Sequence, residues 1–421
     1  MNLEKYSMGI GDRFGRQGRA QLSAFVEARA GGMDITPVWN KSFREHRLIG
    51  TSPADARIEA DDAVRALGWK GSYYVDADHV GLATVESFLG PCDFFTIDVA
   101  DFIGKTASAE DLAAFARRMS RYRDGVAVPG LAGVLRPKSG EIEAIAARYL
   151  LAAREAGKVY RRVLESKGAD AFIAEVSMDE TDTPQTPLEL FFIIAALAEE
   201  GVRASTIAPK FPGRFNKGVD YVGDVARFEE EFDRLVCVAT FAAAEFGLPR
   251  DLKLSVHSGS DKFSLYAPIA RVIARRGAGL HLKTAGTTWL EEIIGLAEAG
   301  GEGLAFAKEL YAQAYPRFDE LVAPYATVVD IDRAALPPPS ELAGWEGKRL
   351  AGAVRHAAGF DRNLRQFFHV AFKVAGDMGK RYLDALDRHE DVIAGEVRTN
   401  ILERHIKPLF SALTSPGGGV K

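Results

Sequence analysis

Leu252-Lys-Leu-Ser-Val-His-Ser-Gly-Ser-Asp-Lys-Phe-Ser-Leu-Tyr-Ala-Pro-Ile-Ala-Arg-Val-Ile-Ala-Arg-Arg-Gly-Ala-Gly-Leu-His-Leu-Lys283 holds one complete unit of a parallel β/α protein. A short apolar run, Leu252–Val256, leads into His257, and a second, Gly279–Leu282, carries His281. Between them, apolar residues recur with helical period over Leu265–Arg275. Strand, amphipathic helix and strand in that order predict parallel neighbours, because a hairpin would need only a tight turn.

The alternation extends back to the N-terminus. Strand-like runs stand at Met8–Gly11, Thr36–Asn40, Ser72–Val75, Phe94–Ile97, Ala171–Val176 and Ala204–Ala208. Helical spacing fills Gln21–Ala30, Pro53–Leu67, Ala109–Tyr122, Leu188–Glu200 and Val225–Phe246. Eight strands joined by crossover helices predict an α/β fold, the (β/α)8 TIM barrel, with an open doubly wound sheet as the rival. Residues 126–167, with a helix over Ile142–Ser166, read as an insertion. After Leu282 the strand signal stops and helical segments follow: Leu290–Ala299, Leu304–Tyr315, Glu341–His356, Asp361–Gly376, Lys380–Asp387 and Asp391–Phe410. The expected organisation is a catalytic barrel over 1–288, a C-terminal helical extension packed on it over 289–412, and a disordered tail over 413–421.

Composition narrows the class. Hydrophobic residues at 47% and charged residues at 26% of 421 fit a globular enzyme. The net charge of -5, with basic and acidic residues interleaved, argues against a nucleic-acid surface. Cys92 and Cys237 lie far apart in apolar surroundings and read as buried thiols of a reducing compartment. The longest apolar stretch, Leu190–Leu197, falls far short of the roughly 20 residues a membrane span needs. With no leader-like segment at Met1–Tyr6, the expectation is a cytoplasmic protein with no membrane partner; homo-oligomer formation stays open.

In a parallel barrel all strand ends share one rim, so residues distant in sequence converge there. His79, His257 and His281 each stand at or just past a strand end. Three imidazoles suit a divalent cation such as zinc, manganese, nickel, cobalt or iron, and leave positions open for substrate oxygens. Asp78 and Glu180, on strands three and five, are placed to flank a bound molecule as general base and general acid. Arg13, Lys41, Lys210, Lys262 and Lys283 exceed what one metal site needs and indicate a small anionic, hydroxyl-rich substrate. Arg365, near His369 in the C-terminal helices, either joins this rim or braces the barrel. Asp76, Asp101 and Asp261 are equally suited to capping helices, and Gly9-x-Gly11 lacks the third glycine of a phosphate loop.

At these positions the chain resembles the tagaturonate epimerase family of hexuronate catabolism. The matching blocks are Gly11-Asp-Arg-Phe-Gly, Asp76-Ala-Asp-His, Glu175-Val-Ser-Met-Asp-Glu-Thr-Asp-Thr-Pro, Lys217-Gly-Val-Asp-Tyr, Ser258-Gly-Ser-Asp-Lys-Phe-Ser and His281-Leu-Lys-Thr-Ala-Gly-Thr, with a weaker block at Asn363-Leu-Arg-Gln-Phe-Phe-His369. The resemblance implies a divalent-metal enzyme that interconverts D-tagaturonate and D-fructuronate, with Asp78 as proton acceptor, Glu180 as proton donor and His79, His257 and His281 as metal ligands. These two sugar acids differ at a carbinol carbon whose C–H the ketone does not acidify, so retro-aldol cleavage and re-addition is the expected route. The alternatives are another metal-dependent ketose epimerase or sugar isomerase on the same barrel, or a non-catalytic sugar-acid binding protein.

Overall fold

The computed structural model describes residues 1–179, 181–284 and 288–414. Eight parallel strands close in sequence order: β1 Tyr6–Ile10, β2 Thr36–Ser42, β3 Tyr74–Val80, β4 Phe94–Asp98, β5 Ile173–Ser177, β6 Thr206–Ala208, β7 Lys253–His257 and β8 Leu280–Lys283. Closure is direct: β1 pairs with β8, with Ser7 opposite His281 and Gly9 opposite Lys283. An open sheet is thereby excluded, and each expected strand corresponds to an observed one. β3 runs to Val80, well past the expected Val75, because Asp76–Asp78 are still paired with β2 and Val80 with β4.

Side chains alternate between the two faces of each strand, as the period of two requires. Met8, Val75, Phe95, Ile97, Val176, Ile207, Leu254 and Leu282 face the surrounding helices and join the main apolar core. Inside the barrel, Val38, Tyr74, Phe94 and Ile173 form a separate apolar floor with Leu3. Above that floor the interior turns polar: Ser7, Asp76, Thr96, Glu175, Thr206, Ser255 and His281 are all buried. A barrel stabilised by packing alone would continue with branched aliphatic layers here.

Several helices begin on caps that their sequence supplies. Thr186 and Glu189 form a capping box with Pro187 in the first turn of Pro187–Glu199, and Ser42 with Glu45 does the same for Phe43–Ile49. The 27-residue helix Glu141–Lys167 packs against Pro187–Glu199 and β4. Beyond β8, helix Thr288–Ala299 packs on Gly347–Val354 and Glu390–Thr399, and Lys407–Thr414 packs on the barrel helix Phe263–Arg276. One apolar core runs continuously from Met8 to Phe410, so the C-terminal helices share the barrel's core. A π-helical turn, Asn400–Ile406, interrupts the last of them. Among the described residues, Cys92 and Cys237 are buried free thiols and no helix is long and apolar enough to cross a membrane.

Candidate active site

The end of β3 departs from regular strand geometry. Its register with β4 shifts between Ala77 and Val80, and His79 has φ 53°, the one positive value among described non-glycine residues. In a regular strand Asp78 and His79 would face opposite sides. The irregularity turns both toward the barrel mouth, at a strain on the order of 1–3 kcal/mol that surrounding contacts must hold.

His79 Nδ1 lies 3.1 Å from Asp98 Oδ2. His257, the last residue of β7, places Nε2 2.7 Å from Glu175 Oε1. Each imidazole thus has one nitrogen held by a carboxylate, the usual way of fixing a metal-binding histidine. Their rings meet edge-on with centroids 5.2 Å apart. Asp179, two residues past β5, completes the group: His79, Asp179 and His257 each offer an atom within 4.8 Å of the others. His257 Nδ1 is buried and 3.2 Å from Asp179 Oδ2, an ion-pair contact. Two such atoms at this spacing also suit ligands of one cation.

The electrostatics agree with the geometry. Burial opposes protonation of His79, but Asp78, Asp98 and Asp179 outweigh it and raise its pKa to about 10. Burial opposes protonation of His257 too, and Asp179 and Glu175 raise it to about 9. Asp179, although buried, is held far below the usual carboxylate range by His257 and His79. A field that retains two protons on adjacent imidazoles is one in which a divalent cation is well placed. The donor set, two neutral nitrogens and a carboxylate, fits zinc, manganese, iron, cobalt or nickel.

Lys283 is the centre of a second, adjoining network. Its Nζ lies 2.8 Å from Asp76 Oδ2, 2.8 Å from Asp78 Oδ1 and 3.5 Å from Glu175 Oε1, and donates to Thr96 Oγ1 at 2.6 Å. The lysine crosses the barrel over Gly9, where a Cβ would sit 3.0 Å from Lys283 Cγ; this close approach is what that glycine permits. Burial works against the Asp78 carboxylate, but Lys283 and His79 prevail and hold it at about 2. Asp76, more deeply buried and beside two other carboxylates, rises to about 6 despite Lys283.

The structure separates the expected residues. His79 and His257 come together, but His281 does not join them. Its side chain faces the interior a layer below Lys283, with Nδ1 2.9 Å from Ser7 Oγ and its ring 5.3 Å from Phe94. The physical reason is period two on β8: Lys283 takes the position at the rim, so His281 sits lower. Asp179 stands in its place. The sequence signal for Asp179 was present, a polar cluster after strand five, but five consecutive polar or small residues there gave no means of choosing one. Glu180 lies outside the described residues.

Among the basic residues, Lys283 reaches the site and half-buried Lys210 borders it, with Nζ 3.4 Å from the Asp179 carbonyl. Three others are engaged by other groups of the chain. Lys41 donates to the Arg13 carbonyl at 2.6 Å. Lys262 Nζ donates to the Asn216 and Val219 carbonyls and to Ser260 Oγ. Arg365 donates to the Gly218 and Val354 carbonyls and to Asp261 Oδ2. Arg13 pairs with Glu45 at 3.0 Å and lies over Phe372, tying the rim to the C-terminal helices. Neither Asp76 nor Asp261 caps a helix; both neutralise buried cations.

Comparison with known proteins agrees with this architecture. The sequence model of the tagaturonate epimerase family matches residues 1–409. A tagaturonate/fructuronate epimerase of Thermotoga maritima is 28% identical over 418 residues, covering 95% of this chain and 80% of that protein. A glycerol complex of the fructuronate-tagaturonate epimerase of Cohnella laeviribosi superposes with a TM-score of 0.81 at 25% identity, covering 97% of this chain and 82% of that one. The native form of the same enzyme superposes with a TM-score of 0.79 over the same shares. This chain belongs to the tagaturonate epimerase family.

Proposed function

We propose that the protein interconverts D-tagaturonate and D-fructuronate at the barrel mouth, with a divalent cation held by His79, Asp179 and His257. The observation that carries this reading is the convergence of those three side chains beside an ionised Asp78, in a chain matched by the family over 1–409. Bound there, the cation supplies Lewis-acid polarisation of the substrate ketone.

The chain's own groups move the protons. Lys283 engages Asp78 Oδ1, while Oδ2 has no partner among the described residues and is the oxygen we assign as base. Asp78 removes the proton of the carbinol O–H. The C–O bond becomes a carbonyl as the adjacent C–C bond breaks, and its electron pair passes into an enolate. The aldehyde fragment turns its other face, the C–C bond re-forms, and a proton returned to the new alkoxide completes the inversion. Glu180 is the assigned donor, by family resemblance, and exchange with solvent resets both carboxyl groups. Lys210, two residues past β6, borders the site as a contact for substrate oxygens.

Turnover in heavy water tests the route. The inverting carbon keeps its own hydrogen in cleavage and re-addition, so product without solvent deuterium there is expected; deuterium at that carbon would overturn it. Asp78→Asn should lower turnover by about 10²–10⁴-fold, the range for loss of a general base, while leaving bound metal in place.

A further inference from the structure

The reaction proposed above leaves the acid function of the substrate unaccounted for. The carboxylate lies on the fragment that comes free when the C–C bond breaks, so something must retain that fragment while its aldehyde turns. Most cations around the mouth are already committed, to Glu45, to backbone carbonyls or to Asp261. Lys217 is different.

Its backbone is pinned on both sides. The Lys217 N–H donates to the Val328 carbonyl at 2.7 Å, and its own carbonyl accepts from Gln366 Nε2 at 2.9 Å. The following Gly218 donates to Ser260 Oγ at 2.9 Å and accepts from Arg365 Nε at 2.6 Å. Its side chain, by contrast, makes no hydrogen bond or ion pair among the described residues, and is half-buried. The ammonium hangs over Gly259, two residues past His257: a Cβ there would lie 3.2 Å from Lys217 Nζ. That position also has φ 64°, so the loop is shaped to leave this space open.

A second observation points the same way. His369 is 1% exposed, and its Nδ1 has no hydrogen-bond partner among the described residues. It lies against the same segment, with a Cβ on Gly218 falling 3.6 Å from His369 Cβ. Burial, then the charges of Arg13, Lys217, Arg365 and Lys262, hold its pKa well below the ordinary value. A buried imidazole with an unpartnered Nδ1, packed against the segment that carries an unpaired ammonium, offers a seat for an anion, since buried polar groups gain most from a charged partner.

We infer that Lys217, with His369 beside it, receives the carboxylate of the sugar acid and sets the preference for uronates over neutral ketoses. This rests on the epimerase reading of the mouth, but its test does not. Calorimetry with D-gluconate and its neutral counterpart D-glucitol should show tighter binding of the acid by the metal-loaded protein. Lys217→Met should weaken gluconate about ten- to a hundredfold, the value of one charged hydrogen bond, and leave glucitol unchanged. Lys217→Arg should retain most of the preference. With no hydrogen bond or ion pair to lose and a stem of similar length kept, Lys217→Met should melt within about 2 °C of the parent. The same variant should raise KM for tagaturonate with little change in kcat. Equal weakening of both ligands, no weakening of either, absence of an acid preference in the parent, or collapse of the fold would each overturn the inference. A Lys217-dependent acid preference without epimerase activity would leave the carboxylate seat standing and remove the substrate assignment instead.

Discussion

Replacing Asp261 by Asn removes a charge on which three cationic or imidazole groups converge. Its Oδ2 lies 2.7 Å from Arg365 Nη2 and 3.0 Å from His356 Nδ1, and its Oδ1 lies 3.2 Å from His405 Nε2. Asp261, Arg365 and His405 are completely buried, so water cannot compensate the loss. Stranding one partner of a buried ion pair costs about 3–5 kcal/mol. With an unfolding entropy of about 2 cal/mol/K per residue, a chain of this length should melt roughly 3–6 °C lower. The double variant Asp261→Asn/Arg365→Met removes both charges and should recover about half of that loss. Recovery is partial because the Gly218 and Val354 carbonyls lose their donor. Differential scanning calorimetry of the parent, the two single variants and the double variant gives the coupling directly. If the double variant is as unstable as the sum of the singles, the C-terminal helices do not hold the loop after His257 through this ion pair, and the reasoning fails.

Other groups give independent checks. Burial raises the Glu291 carboxyl to about 8 against an ordinary 4.5, so the folded protein keeps a proton that the unfolded chain releases. Its contribution to stability is complete below about pH 4.5 and declines as pH rises to about 8; Glu291→Gln should therefore gain on the parent across that window, by a few kcal/mol at most, and a pH-independent difference in urea denaturation would contradict this. Glu175→Gln removes the carboxylate that fixes His257 Nε2 and should weaken metal binding about 10–100-fold in a chelator competition, with the barrel intact by circular dichroism. Ser42→Ala removes the cap of Phe43–Ile49 and should cost about 1 kcal/mol in denaturant melts, without effect on metal content.

The barrel was legible because its outward strand faces are apolar and its crossover helices are amphipathic, so eight units can be counted along the chain. Strand ends were harder to place. Asp76, Asp78 and Lys283 look like loop residues by composition, yet they are paired strand positions facing an interior that carries charge. The site was legible as a set of strand ends, and the structure groups His79 and His257 with Asp179. The depth of His281 was not legible: period two makes Lys283 the rim residue once the end of β8 is known. The partners of Arg365 and Lys262 were not legible in sequence, since only the structure reveals the backbone carbonyls and the Asp261 carboxylate that engage them. The π-helical turn at Asn400–Ile406 was also invisible, since the expected segment Asp391–Phe410 reads as one unbroken helical pattern.

The central claim is that Asp179, not His281, stands with His79 and His257 around the cation. Metal analysis by inductively coupled plasma mass spectrometry, after equilibration with limiting Mn2+, Zn2+ or Ni2+ and gel filtration, tests it in one comparison. The parent and His281→Gln should each retain one equivalent of metal per chain, while Asp179→Ala should lose it. Retention by Asp179→Ala together with loss by His281→Gln would contradict the site described here.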